Sequence, residues 1–247
     1  CFITEMTMAA SEFFMLKDSC LIISIMQPTF LPWLGYFNLI DKSEYFIFLD
    51  NVQFEPRSWQ QRNRVLVNGQ TTWITLPVSK PHGSATRINE VLINDEHFEP
   101  TKICETLRRA YSKRVGLRWL EQEIFPLIIS ANSRLSGLNE TLIITISKAL
   151  ELSTEFIRAS DLRTRGNKSE LLESILLNFD EVEYLSPKSS EVYLKELEGK
   201  FPSGIPIQFQ EFTHPVYEQG GSEFVPFLSI IDAIANVGLD RTRELIM

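Results

Sequence analysis

Two polar stretches carry the residue types from which a small-molecule site could be assembled. The first runs from Met26 to Phe37 and holds Gln27, Trp33 and Tyr36 around Gly35, with Pro28 and Pro32 fixing the backbone without needing donors. Gly35 would let the backbone, or the start of a following helix, come close to an anionic group. The second stretch holds Asp50, Asn51 and Gln53, then Arg57, Trp59, Gln60, Arg62 and Asn63. Amides and guanidiniums suit a ligand rich in hydroxyls and phosphates, and Trp59 offers a face on which a sugar or base can stack. The plain alternatives are a rigid aromatic turn for the first stretch and a polar loop capping a sheet for the second.

Further candidates lie outside these stretches. Lys80, with His82 and Ser84, falls in SKPHGSATR, an expected exposed loop that either closes over an anion or simply connects. Lys168 stands in Gly166-Asn167-Lys168-Ser169, where backbone amides and an ammonium would either hold a phosphate or open a helix. Ser186, in YLSPKSSEVYL, also joins the end of a strand to the start of a helix. His214, Tyr217 and Gln219 share the turn-rich segment FTHPVYEQGGSEF. His214 is the histidine best surrounded for general acid or base work, with Tyr217 as its helper, against a purely structural histidine. The basic run Arg108, Arg109, Lys113, Arg114 and Arg118 reads as a solvated helical face. Walker A, GxGxxG, HExxH and GxSxG motifs are absent, and His82, His97 and His214 lack metal-ligand spacing, so no metal ligands are assigned.

The elements that must position these residues follow from hydrophobic patterning. Leu21 to Met26 reads as a buried strand, Gly35 to Asp41 as a short helix and Tyr45 to Leu49 as a second strand, which together make a βαβ unit. Asn68-Gly69 between Arg64 to Val67 and Gln70 to Leu76 predicts a hairpin. Three- and four-residue spacing predicts helices over Glu99 to Arg114, Arg118 to Ala131 and Leu138 to Leu150, a helical insertion or layer covering about 97–151. Strands are then expected at Glu155 to Arg158, Val182 to Leu185 and Ile205 to Phe212. Helices are expected near Lys168 to Phe179, Ser189 to Leu197 and Pro226 to Val237. The fold class is therefore α/β with a mainly parallel sheet, in which loops after adjacent strands converge on one crevice.

Composition narrows the function classes. With 247 residues, 44% hydrophobic and 23% charged, the chain can bury a sizeable core. Residues 21–247 are read as a single domain, and 1–20, which begin at Cys1, as an extension without functional weight. A net charge of −8 argues against a nucleic-acid partner. Three well-separated cysteines imply neither a disulfide framework nor a thiolate zinc site, and point to the cytoplasm. Charged residues interrupt the N-terminal apolar positions, so no membrane insertion is expected.

The motifs taken in order resemble the WbqC-like protein family from Ile25 to Ile246. The matching segments are QPTFLPWLGYF (Gln27 to Phe37), FLDNVQF (Phe48 to Phe54), WQQRNRV (Trp59 to Val65) and WITLPV (Trp73 to Val78). GNKSELL (Gly166 to Leu172), YLSPKSSEVYL (Tyr184 to Leu194), HPVYEQ (His214 to Gln219) and FVPFLSIIDAIANVG (Phe224 to Gly238) complete the series. Ser186-Pro187 departs from the Ser-Gly expected there. The resemblance implies a cytoplasmic bacterial transferase of surface-polysaccharide, or O-antigen, biosynthesis. Its partner would be a nucleotide-linked sugar or activated acyl donor, and its acceptor an amino sugar. TFLPWLGYFNLI also looks like the TFxPxHxGH corner of nucleotidylyltransferases, with both histidines missing, and IFLDNVQFEP like a segment of pantothenate synthetase. That likeness implies a nucleotidylyltransferase-like core; Mg²⁺ would suit bound nucleotide phosphates, though no acidic motif demands it, and the sequence assigns no cofactor. The alternative is a non-catalytic ligand-binding or assembly protein of the same pathway.

Overall fold

The computed structural model of the chain describes residues 20–94, 96–131, 134–221 and 223–247, so all of the N-terminal extension except Cys20 lies outside the described residues. The centre is a five-stranded parallel sheet built from β1 (Leu21–Met26), β2 (Tyr45–Phe48), β7 (Glu155–Arg158), β8 (Val182–Ser186) and β9 (Ile207–Phe209). Its spatial order is β7-β2-β1-β8-β9, so the order reverses beside β1. That reversal is the topological switch point at which open α/β sheets hold ligands, beyond the carboxyl ends of the strands. The expected βαβ unit is present, with helix α1 (Leu34–Asp41) returning the chain so that Ile23 pairs with Tyr45 and Met26 with Phe48.

Side-chain alternation divides the core into two layers. Phe46 and Phe48 face one cluster, together with Phe37 of α1 and Ile143 of α5 (Leu135–Ala149). Ile23, Ile25 and Ile47 face the other, against Leu172 and Ile175 of α6 (Ser169–Leu176) and Leu194 of α7 (Glu191–Leu194). Helices thus cover both faces, which explains why the strands read as nearly continuous apolar runs. Ser24 is the polar exception inside β1. Its hydroxyl donates to the Leu185 carbonyl at 2.8 Å and accepts from the Ser43 hydroxyl at 2.7 Å.

The hairpin lies outside this sheet. β3 (Arg62–Val67) and β4 (Gln70–Thr75) pair around Asn68-Gly69, both at positive φ as the turn requires. A small ladder of β5 (Val78–Ser79) and β6 (Leu92–Ile93) brackets the expected exposed loop. The helical layer comprises α2 (Pro100–Ala110), then α3 (Leu117–Trp119), a π-helical turn and α4 (Phe125–Ile129), then α5. The last helix, α8 (Ile230–Ile246), starts later than patterning suggests, because Ser229 caps it by accepting from the Ile231 N–H. Its expected end at Val237 is real as a break. Gly238 takes φ 79°, and a second helical stretch follows it. Among the described residues no helix is long and apolar enough to cross a membrane.

A buried amide network ties α1 to β9 and to the end of the chain. Gln210 Nε2 donates to Gly35 O at 2.7 Å and to Asn38 Oδ1 at 2.6 Å, while Asn38 Nδ2 donates to Ile246 O at 2.6 Å. Removing the central amide strands a buried donor and a buried acceptor. Asn38→Ala should therefore lose about 2 kcal/mol of stability, read as an earlier urea midpoint with an unchanged slope.

Candidate functional site

The chain turns sharply after β1. Leu31 adopts φ 44°, an unusual conformation for a bulky side chain, and Pro28 and Pro32 contribute no amide donors. The exposed carbonyls are met from outside. Asn63 Nδ2 donates to Phe30 O at 3.0 Å and Leu31 O at 2.7 Å, and Ser229 Oγ donates to Leu31 O at 2.7 Å. Asn63 therefore anchors the hairpin to the corner. Gly35 has a related task, since a Cβ there would lie 2.2 Å from the Trp33 indole. The close approach it permits is to Trp33, and its carbonyl is occupied by Gln210.

Beyond the carboxyl ends of β1, β2 and β7 lie three small groups of polar side chains. Tyr36 OH donates to Gln27 O at 2.9 Å, and Gln60 Nε2 donates to Gln27 Oε1 at 2.8 Å. Asn139 Nδ2, on α5, donates to Pro28 O at 3.0 Å and Gln60 O at 2.8 Å. Asp50 accepts from the Ser160 N–H at 2.9 Å, the Ser160 hydroxyl at 2.6 Å and the Asn89 amide at 3.3 Å. Beside Asn139 stands Glu140, only 3% exposed. One of its oxygens accepts from Arg158 Nε at 2.6 Å, and the other, Oε1, is buried without a partner. Burial raises the Glu140 pKa; Arg158 works against the rise, and the charges of Asp50 and Asp161 add to it. Burial, then the Glu140 charge, also raises that of Tyr36.

An open hollow of about 810 Å³ lies along α6, in the layer on the other face of the sheet from α5, lined by Leu162, Arg163, Thr164, Arg165, Ser174, Leu177 and Asn178. Asn51 Nδ2 reaches Thr164 Oγ1 at 3.2 Å, linking the β2 loop to its wall. Lys168 lies exposed just beyond, at the start of α6. Ser186 is buried at the end of β8 with no partner for its hydroxyl.

The C-terminal candidates belong to a separate aromatic cluster. The His214 ring stacks near Trp33, with centroids 5.9 Å apart and planes 11° apart, and meets Phe227 edge-on at 5.1 Å. Burial lowers its pKa, and Nδ1 lies 2.9 Å from the Pro215 carbonyl. Tyr217 OH donates to Asp232 Oδ2 and Tyr111 OH to Asp232 Oδ1, both at 2.9 Å. Gln219 closes a local ring of hydrogen bonds with Val225. None of these bonds reaches the strand-end cluster, and His214 Nε2 is buried with no partner. Gln53 binds the Ser84 carbonyl at 2.9 Å, Lys80 is exposed on its loop, and Trp59 and Arg62 lie on the outer side of the hairpin.

The order of these segments along the chain matches a family model described as the WbqC-like protein family over residues 27–244. The chain belongs to that family. Among curated proteins it is similar to an uncharacterized protein of Mycobacterium tuberculosis, 28% identical over 219 residues that span 88% of this chain and 94% of the relative. No solved structure matches.

In this WbqC-like chain Gln27 and Tyr36 share one network with Gln60, a residue of the second polar stretch, and Asp50 another with Ser160; Asn139, Glu140 and Arg158 are added from an expected helix and strand. The signal for Asn139 and Glu140 was two polar residues adjacent to Leu138 on the buried side of α5. Among the described residues, no group of three or more His, Cys, Asp or Glu side chains is arranged to hold a metal ion. The folded protein retains the Glu140 proton to higher pH than the unfolded chain does. The destabilisation by the ionised form is thus complete above the folded pKa, and is relieved as pH falls toward the ordinary 4.5. Chemical denaturation from about pH 8 to about pH 5 should show wild type gaining stability relative to Glu140→Gln on acidification. A difference that does not change with pH would refute this account of the carboxylate.

Proposed function

We propose that this protein is a transferase of bacterial surface-polysaccharide biosynthesis, moving a group from a phosphate-activated donor to an amino sugar at the carboxyl ends of β1, β2 and β7. The observation that carries the reading is Glu140, a buried carboxylate with one oxygen paired to Arg158 at the carboxyl end of the edge strand β7 and the other unpartnered. A buried acceptor without a donor is costly in a merely structural position. It suits a group that exchanges a proton with a ligand.

A nucleotide-linked sugar and an acyl adenylate share one feature, a reactive carbon bonded to a phosphate oxygen. The acceptor amine would attack that carbon and form the new bond to nitrogen. The carbon–oxygen bond to phosphate would break, its electron pair leaving with the phosphate oxygen, and Glu140 would take the proton released from the amine. Arg158, whose side chain is about half exposed, would counter charge at the departing phosphate. Arg163 and Arg165 line a hollow of a size that suits a nucleotide, and Lys168 stands close by in sequence. The strand order matches that of nucleotide-binding open sheets, which supports a nucleotidylyltransferase-like core despite the missing corner histidines. The O-antigen setting and cytoplasmic location rest on what the family resemblance implies.

Calorimetric titration with UDP-N-acetylglucosamine and with a non-hydrolysable aminoacyl sulfamoyl adenosine tests the donor site. Wild type should bind at least one, and Arg163→Ala with Arg165→Ala should weaken that binding about tenfold, roughly the loss of one charge-assisted contact. In the host, Glu140→Gln should reproduce the glycan change of a deletion strain while leaving donor affinity intact. Failure of wild type to bind either probe would sink the proposal. A normal glycan with Glu140→Gln, where deletion alters it, would favour the non-catalytic binding or assembly reading.

A further inference from the structure

The hairpin presents an uncommon surface. Trp59, just before β3, and Trp73, in β4, are 46% and 43% exposed, although indoles usually bury most of their area. Their ring centroids are 5.3 Å apart with planes inclined at 38°. Arg62 lies over Trp73 with its guanidinium carbon 4.2 Å from the ring centroid. Arg64, directly opposite Trp73 across the ladder, lies 5.5 Å from Trp59 and 5.9 Å from Trp73. Among the described residues neither arginine forms a salt bridge, in a chain whose net charge is −8. Arg64 Nη2 donates to the Phe227 carbonyl at 3.1 Å, and Phe227 is 48% exposed at φ 59°. The aromatic surface thus continues from the hairpin onto the C-terminal segment.

The rings are too close for a flat base to enter between them and too inclined to form one continuous plane for it. A puckered sugar ring can lay its C–H groups against such a tilted pair, and the Arg62 guanidinium beside it, which forms no salt bridge among the described residues, suits carboxylate or phosphate substituents. Charge complementarity selects an anionic glycan over a neutral one. The platform also touches the proposed transfer site through the chain, because Trp59 O accepts from the Phe30 N–H at 2.9 Å and the next residue, Gln60, binds Gln27.

We infer that Trp59, Trp73 and Arg62 form a binding platform for an acidic oligosaccharide. Its use as the acceptor subsite rests on the transferase reading above, whereas glycan binding itself does not. Intrinsic tryptophan fluorescence should report the association when tetragalacturonate, maltotetraose or uridine monophosphate is titrated into the full chain. Tetragalacturonate should quench the signal, with an affinity that falls as salt rises. Maltotetraose and uridine monophosphate should bind at least tenfold more weakly.

Trp59→Ala and Trp73→Ala, checked for a wild-type circular dichroism spectrum, should each weaken tetragalacturonate binding about tenfold by calorimetry, and Arg62→Gln provides an independent variant that keeps both rings. Glu140→Gln should bind tetragalacturonate as wild type does, which separates failure of the platform from failure of the transfer site. The platform is refuted if wild type does not bind the acidic probe. It is equally refuted if all three variants bind that probe unchanged, or if uridine monophosphate binds as tightly.

Discussion

The backbone between Pro28 and Trp33 is the constraint on which the rest of the structure depends. Two prolines and a bulky residue at positive φ leave it unable to satisfy its own carbonyls, a state that costs on the order of 1–3 kcal/mol unless the surroundings hold it. The donors arrive from segments distant in sequence, Asn63 from the hairpin and Ser229 and the Ile230 N–H from the start of the last helix, while the Trp59 carbonyl accepts the Phe30 N–H. One short corner thereby brings the hairpin, the C-terminal segment and β1 together. Without it the hairpin would have little reason to sit beside the parallel sheet.

That arrangement explains the division of polar residues. The side chains that secure the corner are inward and fully engaged, as Asn63 and Ser229 are. Those beyond the strand ends are only partly engaged. Asn139 spends both amide hydrogens on Pro28 and Gln60 yet leaves its oxygen unpartnered, and Glu140 has one free oxygen. Buried polar groups are seldom left in this state by packing alone. The same state occurs at Ser147 Oγ, Asn236 Oδ1 and His214 Nε2, so it is the pairing of Glu140 with Arg158 at the end of β7 that marks this position.

His214 lies apart from the strand-end cluster, although its Nε2 is also buried without a partner. As the histidine with the most suggestive neighbours in sequence, it had the chemistry of an acid or base, but its ring is packed among Trp33, Tyr217, Phe224 and Phe227. Tyr217 likewise turns its hydroxyl toward Asp232, a buried carboxylate whose pKa burial raises. This aromatic cluster closes the corner from outside.

Local sequence was enough for the elements and their class. Apolar runs of strand length, a βαβ spacing and Asn68-Gly69 are short-range signals, and the parallel sheet, both covering layers and the hairpin follow them closely. Gln27, Tyr36 and Asp50 were also legible, because strand-end loops can be found by counting from the strands. Glu140, Asn139 and Arg158 were not. A polar residue in a helix or strand reads as surface unless the tertiary packing turns it inward, and α5 reaches the ends of β1 and β2 only through an excursion of about a hundred residues. The pairing of Trp59 with Trp73 and of Arg62 with the latter's ring was likewise decided by the hairpin register, which fixes which side chains share a face.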